Sequence, residues 1–279
     1  MTADVGAVDA DRALKEKHRA MWASGDFPAV ATEVIPQLGP VLVAAAGIKP
    51  GDRVLDVGAG SGNASIPAAQ LGAETVASDL TPELLDAGRR EAEARGIALE
   101  WQQADAESLP FEDNSFDVVI SCLGVMFAPH HQPAADELVR VCRPGGTISV
   151  LSWTPEGFLG DMFAAMKPYA PPPPPGAQSA MLWGSEAHVR ELFADRVTEV
   201  EARREDLRVE AFETPEAFRD FFKATYGPTI SVYKNIGDTA DRVEDLDAEL
   251  ADLGRRYDYG SSSTVMDWEY LIFTARKTG

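Results

Sequence analysis

The segment RVLDVGAGSGNAS, residues 53–65, carries glycines at positions 58, 60 and 62. Glycine-rich loops that follow a short apolar run let the backbone approach a nucleotide closely. A dinucleotide-binding loop has its third glycine where Asn63 stands here. Asp56, just before the loop, would repel a pyrophosphate but attract a cation. The loop therefore predicts a nucleotide ligand whose nearest group is positive or amino-bearing.

Histidines and cysteines are the other side chains with catalytic potential. His130 and His131 follow the fourth predicted strand, and the ordinary pKa of histidine suits a general base near neutral pH. Cys122 and Cys142 have no metal-ligand spacing, and two cysteines make no disulfide framework. We therefore expect reduced core thiols and no metal site, with His130 and His131 as the candidate catalytic residues.

An alternation of strands and helices positions these residues. Short apolar runs predict five strands between residues 53 and 153, separated by segments of helical spacing. Two further strands are predicted at 196–210 and 266–277. This pattern is typical of βαβ units and predicts an α/β fold with a doubly wound, mostly parallel, seven-stranded sheet. Ligands bind such sheets at the carboxyl ends of the strands, where the glycine loop lies.

The remaining segments predict a cap and a lid. Residues 1–12 are expected to be disordered, and residues 13–48 to form a helical cap interrupted by prolines. Residues 49–211, together with 261–279, are expected to form the sheet domain. Residues 212–260 are too long for a hairpin between the last two strands, and their helical periodicity predicts a lid over the ligand cleft.

Four sequence blocks, in order, resemble the class I S-adenosylmethionine-dependent methyltransferases. LDVGAGSGN is similar to the first motif of that family, and ASDLTPELL to the block after the second strand. ADAESLPFEDNSFDVVIS and DELVRVCRPGGTISV resemble the next two blocks, so the similarity covers residues 50–152. The most similar subgroup is the ubiquinone/menaquinone type (methyltransferase type 11). The resemblance implies a Rossmann-like domain that binds S-adenosyl-L-methionine and releases S-adenosyl-L-homocysteine.

The same resemblance implies roles for individual residues. Asp79 corresponds to the acidic residue that binds both ribose hydroxyls, because a carboxylate can accept two hydrogen bonds. Asp105 corresponds to the acceptor for the adenine amino group, with the backbone N–H of Ala106 on the ring. HRAMWASGDF is similar to a cap that closes over the cofactor. The expected cofactor-binding residues are Asp56, Gly58, Ala59, Gly60, Asn63, Asp79, Leu80, Asp105, Ala106, Ser121, Trp22 and Phe27.

Aromatic residues and methionines predict the acceptor pocket. In methyl transfer from a sulfonium, the protein mainly aligns the nucleophile and excludes water. The segments after the fourth strand and in the predicted lid are rich in aromatic residues, which indicates an apolar small molecule as acceptor. The expected substrate-binding residues are Met126, Phe127, Trp183, Tyr226 and Tyr233.

Charge and hydropathy argue against several classes of partner. The 279-residue chain has a formal net charge of −20, which would repel nucleic acid because such binding depends on neutralising phosphates. No apolar run approaches the ~20 residues of a membrane span, and the first residues lack the apolar core of a secretory signal. We therefore expect a cytoplasmic protein without a nucleic-acid partner or a membrane span. The sequence leaves a homodimer open.

Three alternative functions, each from a different class of protein, have to be compared with this prediction. A protein that binds the cofactor without methyl transfer, or uses it in a non-methylating reaction, would have the same binding residues. An RNA or protein methyltransferase would share the fold, but the sequence has no basic patch and no N-P-P-Y-type signature of amino-group methylation after the fourth strand. An NAD-dependent oxidoreductase is disfavoured by Asn63 and Asp56.

Overall fold

The structure, a computed structural model, describes residues 5–279, with side chains from residue 10 onward. Its strands are β1 (Arg53–Val57), β2 (Glu74–Asp79), β3 (Glu100–Gln103), β4 (Phe116–Cys122), β5 (Cys142–Trp153), β6 (Val197–Phe212) and β7 (Thr264–Lys277). They form one seven-stranded sheet in the order β3-β2-β1-β4-β5-β7-β6. Strand β7 is antiparallel to both of its neighbours, and the pairs from β3 to β5 are parallel. The predicted α/β fold with a mostly parallel seven-stranded sheet is confirmed.

Helices connect the strands, and three of them precede the first strand. The helices are α1 (Val5–Ala23), α2 (Phe27–Ala29, continued by a π-helical turn Val30–Val34), α3 (Leu38–Ala45), α4 (Ser65–Gln70), α5 (Pro82–Ala94), α6 (His131–Val141), α7 (Phe158–Met166), α8 (Glu186–Phe193), α9 (Pro215–Thr225), α10 (Gly227–Ile236) and α11 (Ala240–Tyr257). Over residues 5–279, no single helix has the length and apolar composition of a membrane span; one pair does so jointly, Phe27–Val34 with Leu38–Ala45, across a 75° bend.

The strand order reverses direction at β1. From β1 the chain proceeds through β2 to β3 on one side, then returns to place β4 and β5 on the other side. Val54, Leu55 and Val57 of β1 are at most 1% exposed, which agrees with a strand covered by helices on both faces. The carboxyl ends of β1 and β4 therefore flank the crevice in which such sheets bind ligands.

The N-terminal helix is longer than predicted. Helix α1 begins at Val5, so the expectation of disorder for residues 1–12 is wrong from residue 5 onward, while residues 1–4 lie outside the described part. An ion pair one helical turn apart, Lys15 to Asp11 at 2.9 Å, supports the extra length.

Residues 143–146 (RPGG), although rich in turn-forming residues, are part of strand β5. Pairing with β4 jumps from Phe116 opposite Cys142 to Val118 opposite Thr147, so the RPGG residues form a bulge. Gly145 takes φ +71° there, a conformation that glycine adopts without a steric cost. The bulge leaves the rest of β5 in register with β4.

Helices α9 to α11 form a three-helix insertion between β6 and β7, within the predicted lid segment. The junction of α9 and α10 packs against the end of α1: the backbone N–H of Asp26 donates to the carbonyl of Thr225 at 2.8 Å. A Cβ on Gly227 would lie 2.6 Å from the carbonyl oxygen of Met21, so the two backbones are in direct contact. The division into cap, sheet domain and lid stays a prediction.

Two glycines allow the loops after β1 and β4 to cross. A Cβ on Gly124 would lie 2.2 Å from the carbonyl oxygen of Gly58, which no real Cβ tolerates. Gly58 has φ +69° and lies equally close, since its own Cβ would be 2.7 Å from the Cα of Gly124. The crossing therefore requires glycine in both loops at the centre of the crevice.

Gly124→Ala tests this crossing. We expect the free energy of unfolding to fall by about 2–3 kcal/mol, because the added methyl group forces the two loops apart. Gly47→Ala is the control: Gly47 has φ +65° but no atom within 4 Å of an added Cβ, so only backbone strain of about 1 kcal/mol is added. Urea unfolding compares the two variants. Equal losses would show that the crossing is not tight.

Candidate functional site

A cleft opens above the carboxyl ends of β1, β2, β3 and β4. Counted out to its mouth, it has an empty volume of about 1180 Å³. The predicted site residues that line it are Trp22, Phe27, Gly58, Ala59, Gly60, Asn63, Asp79, Leu80, Asp105, Ala106, Phe127 and Tyr226.

Asp79 ends strand β2 and presents its carboxylate to the cleft. Oδ2 accepts the backbone N–H of Gly60 and Oδ1 that of Thr81, each at 2.8 Å. Burial raises the pKa of Asp79, and these hydrogen bonds oppose the rise. Each oxygen keeps another lone pair, so the carboxylate can still accept two hydroxyl groups from a ligand. The residue fits the predicted ribose contact.

Asp105, in the loop after β3, is paired with a lysine that the sequence did not single out. Oδ2 lies 2.5 Å from Lys15 Nζ, and Oδ1 accepts the backbone N–H of Glu107 at 3.0 Å. Lys15 also lies 2.9 Å from Asp11 and 3.0 Å from Glu107. Burial alone would lower the pKa of Lys15, but the three carboxylates outweigh it and raise the pKa. A protonated lysine thus holds α1 against the polar end of the cleft.

The N-terminal helices also cover the glycine loop. The ring of Phe27 lies 3.3 Å from where a Cβ on Gly60 would be, and Gly60 has φ +56°, a conformation that favours glycine. Asn63 Nδ2 donates to the carbonyl of Ile35 at 3.2 Å. In the position of the absent third glycine, Asn63 therefore ties the loop to the segment between α2 and α3.

Asp56 lies beneath the glycine loop and is not part of the cleft wall. It is 1% exposed; Oδ2 accepts a hydrogen bond from Ser65 Oγ at 2.6 Å, and Oδ1 has no partner within residues 5–279. Burial raises the pKa of Asp56 to about 7, with the charge of Asp79 adding to the effect and the Ser65 hydroxyl opposing it. A cation above the loop would stabilise the charged form of this carboxyl group, whose Oδ1 has no partner.

The opposite end of the cleft is aromatic. The ring centroid of Trp22 is 4.8 Å from that of Phe127 and 5.7 Å from that of Tyr226. Phe222 continues this series, 5.3 Å from Tyr226 and 5.7 Å from Trp268. Aromatic rings from four separate segments of the chain thus enclose one end of the cleft.

Two predicted site residues in and after β4 face the interior of the protein. Ser121 is fully buried; its hydroxyl donates to the carbonyl of Val57 at 2.5 Å and accepts the N–H of Val125 at 2.8 Å. This hydroxyl ties β1 to the turn after β4 and does not line the cleft. Met126 is also fully buried and packs in the core. Both expectations are therefore corrected.

Neither candidate catalytic histidine lines the cleft. His130 Nδ1 is 3.0 Å from Glu107 Oε2, and its backbone N–H donates to Glu107 Oε1 at 2.7 Å. His131 is fully buried with Nδ1 2.9 Å from His188 Nε2. Burial, with the neighbouring His188 and His130, lowers the pKa of His131 to about 4, so this ring is neutral. The structure corrects the catalytic assignment: these residues anchor the start of α6.

Two predicted acceptor residues also lie elsewhere. Trp183 is fully buried and packs on His131, with ring centroids 5.7 Å apart. Tyr233 donates its hydroxyl to Asp247 at 2.5 Å within the three-helix insertion, where Lys223 also binds Asp247. Both residues hold helices together and do not line the cleft.

Several cleft residues were not predicted from the sequence. They are Lys15, His18, Cys122, Trp153, Phe222 and Trp268, among others. Trp153 ends β5, and a tryptophan at the carboxyl end of a parallel strand is a signal that could have been used. Burial raises the pKa of Cys122, as does the Asp56 charge, so its thiol stays protonated.

A sequence profile described as a methyltransferase domain matches residues 55–150, which include the glycine loop, Asp79 and Asp105. This part of the chain therefore belongs to a methyltransferase domain. An uncharacterized protein of Mycobacterium tuberculosis is 53% identical over 277 residues, or 99% of this chain and 100% of the relative. A demethylmenaquinone methyltransferase of Thermus thermophilus is 39% identical over 105 residues, or 37% of this chain and 48% of the relative. This partial match supports the ubiquinone/menaquinone-type subgroup.

Solved structures share the methyltransferase fold. The YcgJ protein of Bacillus subtilis has a TM-score of 0.59 at 20% identity, covering 87% of this chain and 99% of that chain. A geranyl diphosphate methyltransferase in complex with SAM has a TM-score of 0.54 at 16% identity, covering 87% of this chain and 85% of that chain. At these identities the likeness establishes the fold alone.

Asp56→Asn gives a pH test of the buried carboxyl group in this methyltransferase. The folded-state pKa of about 7 lies above the ordinary 3.8, so between these values the folded protein keeps a proton that the unfolded chain has lost. Wild-type stability should therefore decline as pH rises through this interval and level off above it. Asparagine cannot ionise, so the variant should lose this decline. Urea unfolding at about pH 5 and about pH 8 measures the free energy of unfolding of both proteins. The same change of stability with pH in both would contradict the raised pKa of Asp56.

Lys15→Met tests the contact between α1 and the loop after β3. Without the ammonium group, Asp11, Asp105 and Glu107 repel one another, and we expect a loss of about 2–3 kcal/mol in stability with faster proteolysis of α1. Lys17→Met, on an exposed position of the same helix, is the matched control. Thermal unfolding and limited proteolysis compare the two variants. The same behaviour in both would mean that Lys15 does not hold the helix.

Proposed function

We propose that this methyltransferase transfers a methyl group from S-adenosyl-L-methionine to a small apolar acceptor. One observation carries the proposal: a single cleft has a carboxylate-bearing end and an aromatic end, with the glycine loop between them. Asp79 and Asp105 follow β2 and β3 on one side of the sheet, and Trp153 and Trp268 belong to β5 and β7 on the other. A polar nucleoside and an apolar acceptor fit these two ends.

The residues at the polar end suit the cofactor. Asp79 would bind the ribose hydroxyls with the lone pairs that Gly60 and Thr81 leave free. Asp105 would accept the adenine amino group, since a carboxylate oxygen bonded to Lys15 can accept a second donor. Asp56, unpaired beneath the loop, supplies the negative charge that a sulfonium or ammonium group favours. Leu80, Ala106 and Phe27 supply the apolar contacts of the ring.

Bound S-adenosylmethionine supplies an electrophilic methyl group, so the protein has to orient the acceptor and exclude water. The aromatic rings at the other end of the cleft do both. Among the described residues, the charged or histidine side chains that line the cleft are Lys15, His18, Asp79 and Asp105. Lys15, Asp79 and Asp105 come from α1, the end of β2 and the loop after β3, and His18 lies one helical turn before Trp22 on α1. Transfer at the aromatic end would therefore depend mainly on alignment.

The proposal also includes the location of the protein in the cell and the kind of molecule on which it acts. We propose a cytoplasmic enzyme that acts on a free small molecule, and the homodimer stays a prediction. The net charge of −20 supports a small acceptor over RNA. A protein that binds the cofactor without transferring the methyl group is the second candidate, because the same cleft residues would serve it.

Two measurements separate these candidates. Isothermal titration calorimetry should show binding of S-adenosylhomocysteine and none of NAD; binding of NAD alone would refute the cofactor assignment. In the second measurement, the protein is incubated with S-adenosylmethionine labelled in its methyl group and with phenols, quinols, fatty acids or amines. At least one of these classes of compound should become labelled. Cofactor binding without any labelled product would favour the second candidate.

Asp79→Asn tests the cofactor position directly. We expect at least about tenfold weaker binding of S-adenosylhomocysteine, because the amide offers one acceptor oxygen where the carboxylate offers two. Asp258→Asn is the matched control: its Oδ1 also accepts two backbone N–H groups, from Gly260 at 2.8 Å and Val265 at 3.0 Å, outside the cleft. Calorimetry of both variants reports the affinities. Unchanged binding by Asp79→Asn would mean that Asp79 is not the ribose ligand.

A further inference from the structure

One edge of the sheet is formed by a long strand that is paired on one side only. Strand β6 is last in the strand order, is 16 residues long, and pairs with β7. On its other side, every second residue directs its backbone N–H and C=O groups outward, as in any edge strand. Among the described residues, no other part of the chain bonds to these outer groups. The edge is therefore open to one more strand.

The composition of β6 permits such pairing. Natural edge strands are often protected by proline, by lysine or by being very short, and β6 has none of these features. Its pairing with β7 is regular from Glu201 to Val209, between two register shifts. Three arginines and three carboxylates stand between residues 203 and 210, so this segment has no net charge in a chain of net charge −20. Two copies of the chain therefore do not repel each other at this edge.

The charges on one face of β6 alternate in sign. Every second residue of a strand lies on the same face, so Arg204, Asp206, Arg208 and Glu210 form a row, and all four are exposed. Along the strand the row is positive, negative, positive, negative. Read backwards, each sign is reversed. A row with this order is complementary to an antiparallel copy of itself.

A second copy in antiparallel orientation meets this row best in one register. Opposite residues of two paired strands lie on the same face, so the twofold axis has to pass through a residue of β6. With the axis at Leu207, Asp206 lies opposite Arg208 of the second copy, and Arg204 lies opposite Glu210 of the second copy. By symmetry the register contains four pairs of opposite charge, and no like charges of β6 face each other.

Other registers are less favourable. An axis at a charged residue places that residue opposite its own copy, so that like charges meet. An axis at Val209 gives two pairs of opposite charge, and an axis at Ala202 gives two such pairs but also places Glu199 opposite Glu205. The sequence of β6 therefore selects the register centred on Leu207.

Asp206 lacks a cationic partner within one chain. It lies opposite Glu269 in β7, and it makes no ion pair or hydrogen bond with another described residue. Burial, together with the charges of Asp267 and Glu269, raises the pKa of Asp206. A positive charge from outside the chain would relieve this repulsion, and the register centred on Leu207 brings Arg208 of the second copy to this position.

We propose that two copies of the chain join edge to edge through β6, antiparallel about Leu207, so that their two seven-stranded sheets form one continuous sheet. Hydrogen bonds between the outer backbone groups supply the attraction, and the four pairs of opposite charge select the register. The inference goes beyond the proposed function and does not depend on it, because β6 lies at the edge of the sheet opposite β3.

Two charge reversals, one on each side of the same ion pair, test this interface. Asp206→Arg and Arg208→Asp each place like charges opposite each other at two symmetric positions, so each variant alone should dimerise at least about tenfold more weakly than the wild type. Glu93→Arg and Arg90→Asp, at exposed positions of α5, are the matched controls and should leave the dimer unchanged. Sedimentation equilibrium should extend to about 100 µM protein, since pairing of edge strands alone forms a small interface.

Mixing the two variants is the sharper measurement. In a mixed pair, the introduced arginine faces the introduced aspartate, and the native Arg208 of one chain faces the native Asp206 of the other. The opposite charges are thus restored, and the mixture should form a heterodimer with about the affinity of the wild-type dimer. Circular dichroism of each variant checks that it is folded.

Three outcomes would overturn the inference. The first is a wild type that remains monomeric over the whole concentration range. The second is a dimer that persists unchanged in both charge-reversal variants, which would show that another surface forms it. The third is a mixture of the two folded variants that dimerises no better than either variant alone, because the loss would then not come from the charge pairing across the axis.

Discussion

The close approach of Gly58 and Gly124 determines the shape of the whole cleft. The loops after β1 and β4 leave the sheet at the position where the strand order reverses, and they can cross only because neither residue has a side chain. The crossing holds the glycine loop low over β1, so that Gly60 meets the Asp79 carboxylate at 2.8 Å. A bulkier residue at the crossing would raise this loop and remove the floor between the two ends of the cleft.

The strand order then separates the two ends chemically. On one side of the crossing, β2 ends at Asp79, and the loop after β3 carries Asp105. On the other side, β5 and β7 bring Trp153 and Trp268 to the same edge, because the amino end of an antiparallel strand lies beside the carboxyl ends of its parallel neighbours. Under the proposed function, a charged nucleoside and an apolar acceptor would bind next to each other, each in an environment of matching polarity.

Features that are encoded in a short stretch of sequence were predicted, whereas features that depend on tertiary contacts were not. The strands and the glycine loop are visible in runs of a few residues, and the parts of the fold that depend on them were predicted correctly. Ser121 was misassigned because its hydroxyl bridges Val57 and Val125, a contact that exists only after β1 and β4 pair. Lys15 was overlooked because two of its three carboxylate partners, Asp105 and Glu107, lie far along the chain. Trp268 was overlooked because its place at the cleft depends on β7 running antiparallel.

Helix α1 connects the two ends of the cleft. Lys15, His18 and Trp22 all line it, and their spacing of three and four residues places them on one face of the helix. That face extends over about 10 Å, from the ammonium beside Asp105 to the indole beside Tyr226. Because one rigid helix contributes to both ends, a ligand that orders it at the polar end also fixes the aromatic end. Cofactor binding should therefore prepare the acceptor site, which gives the two ligands a physical reason to bind in order.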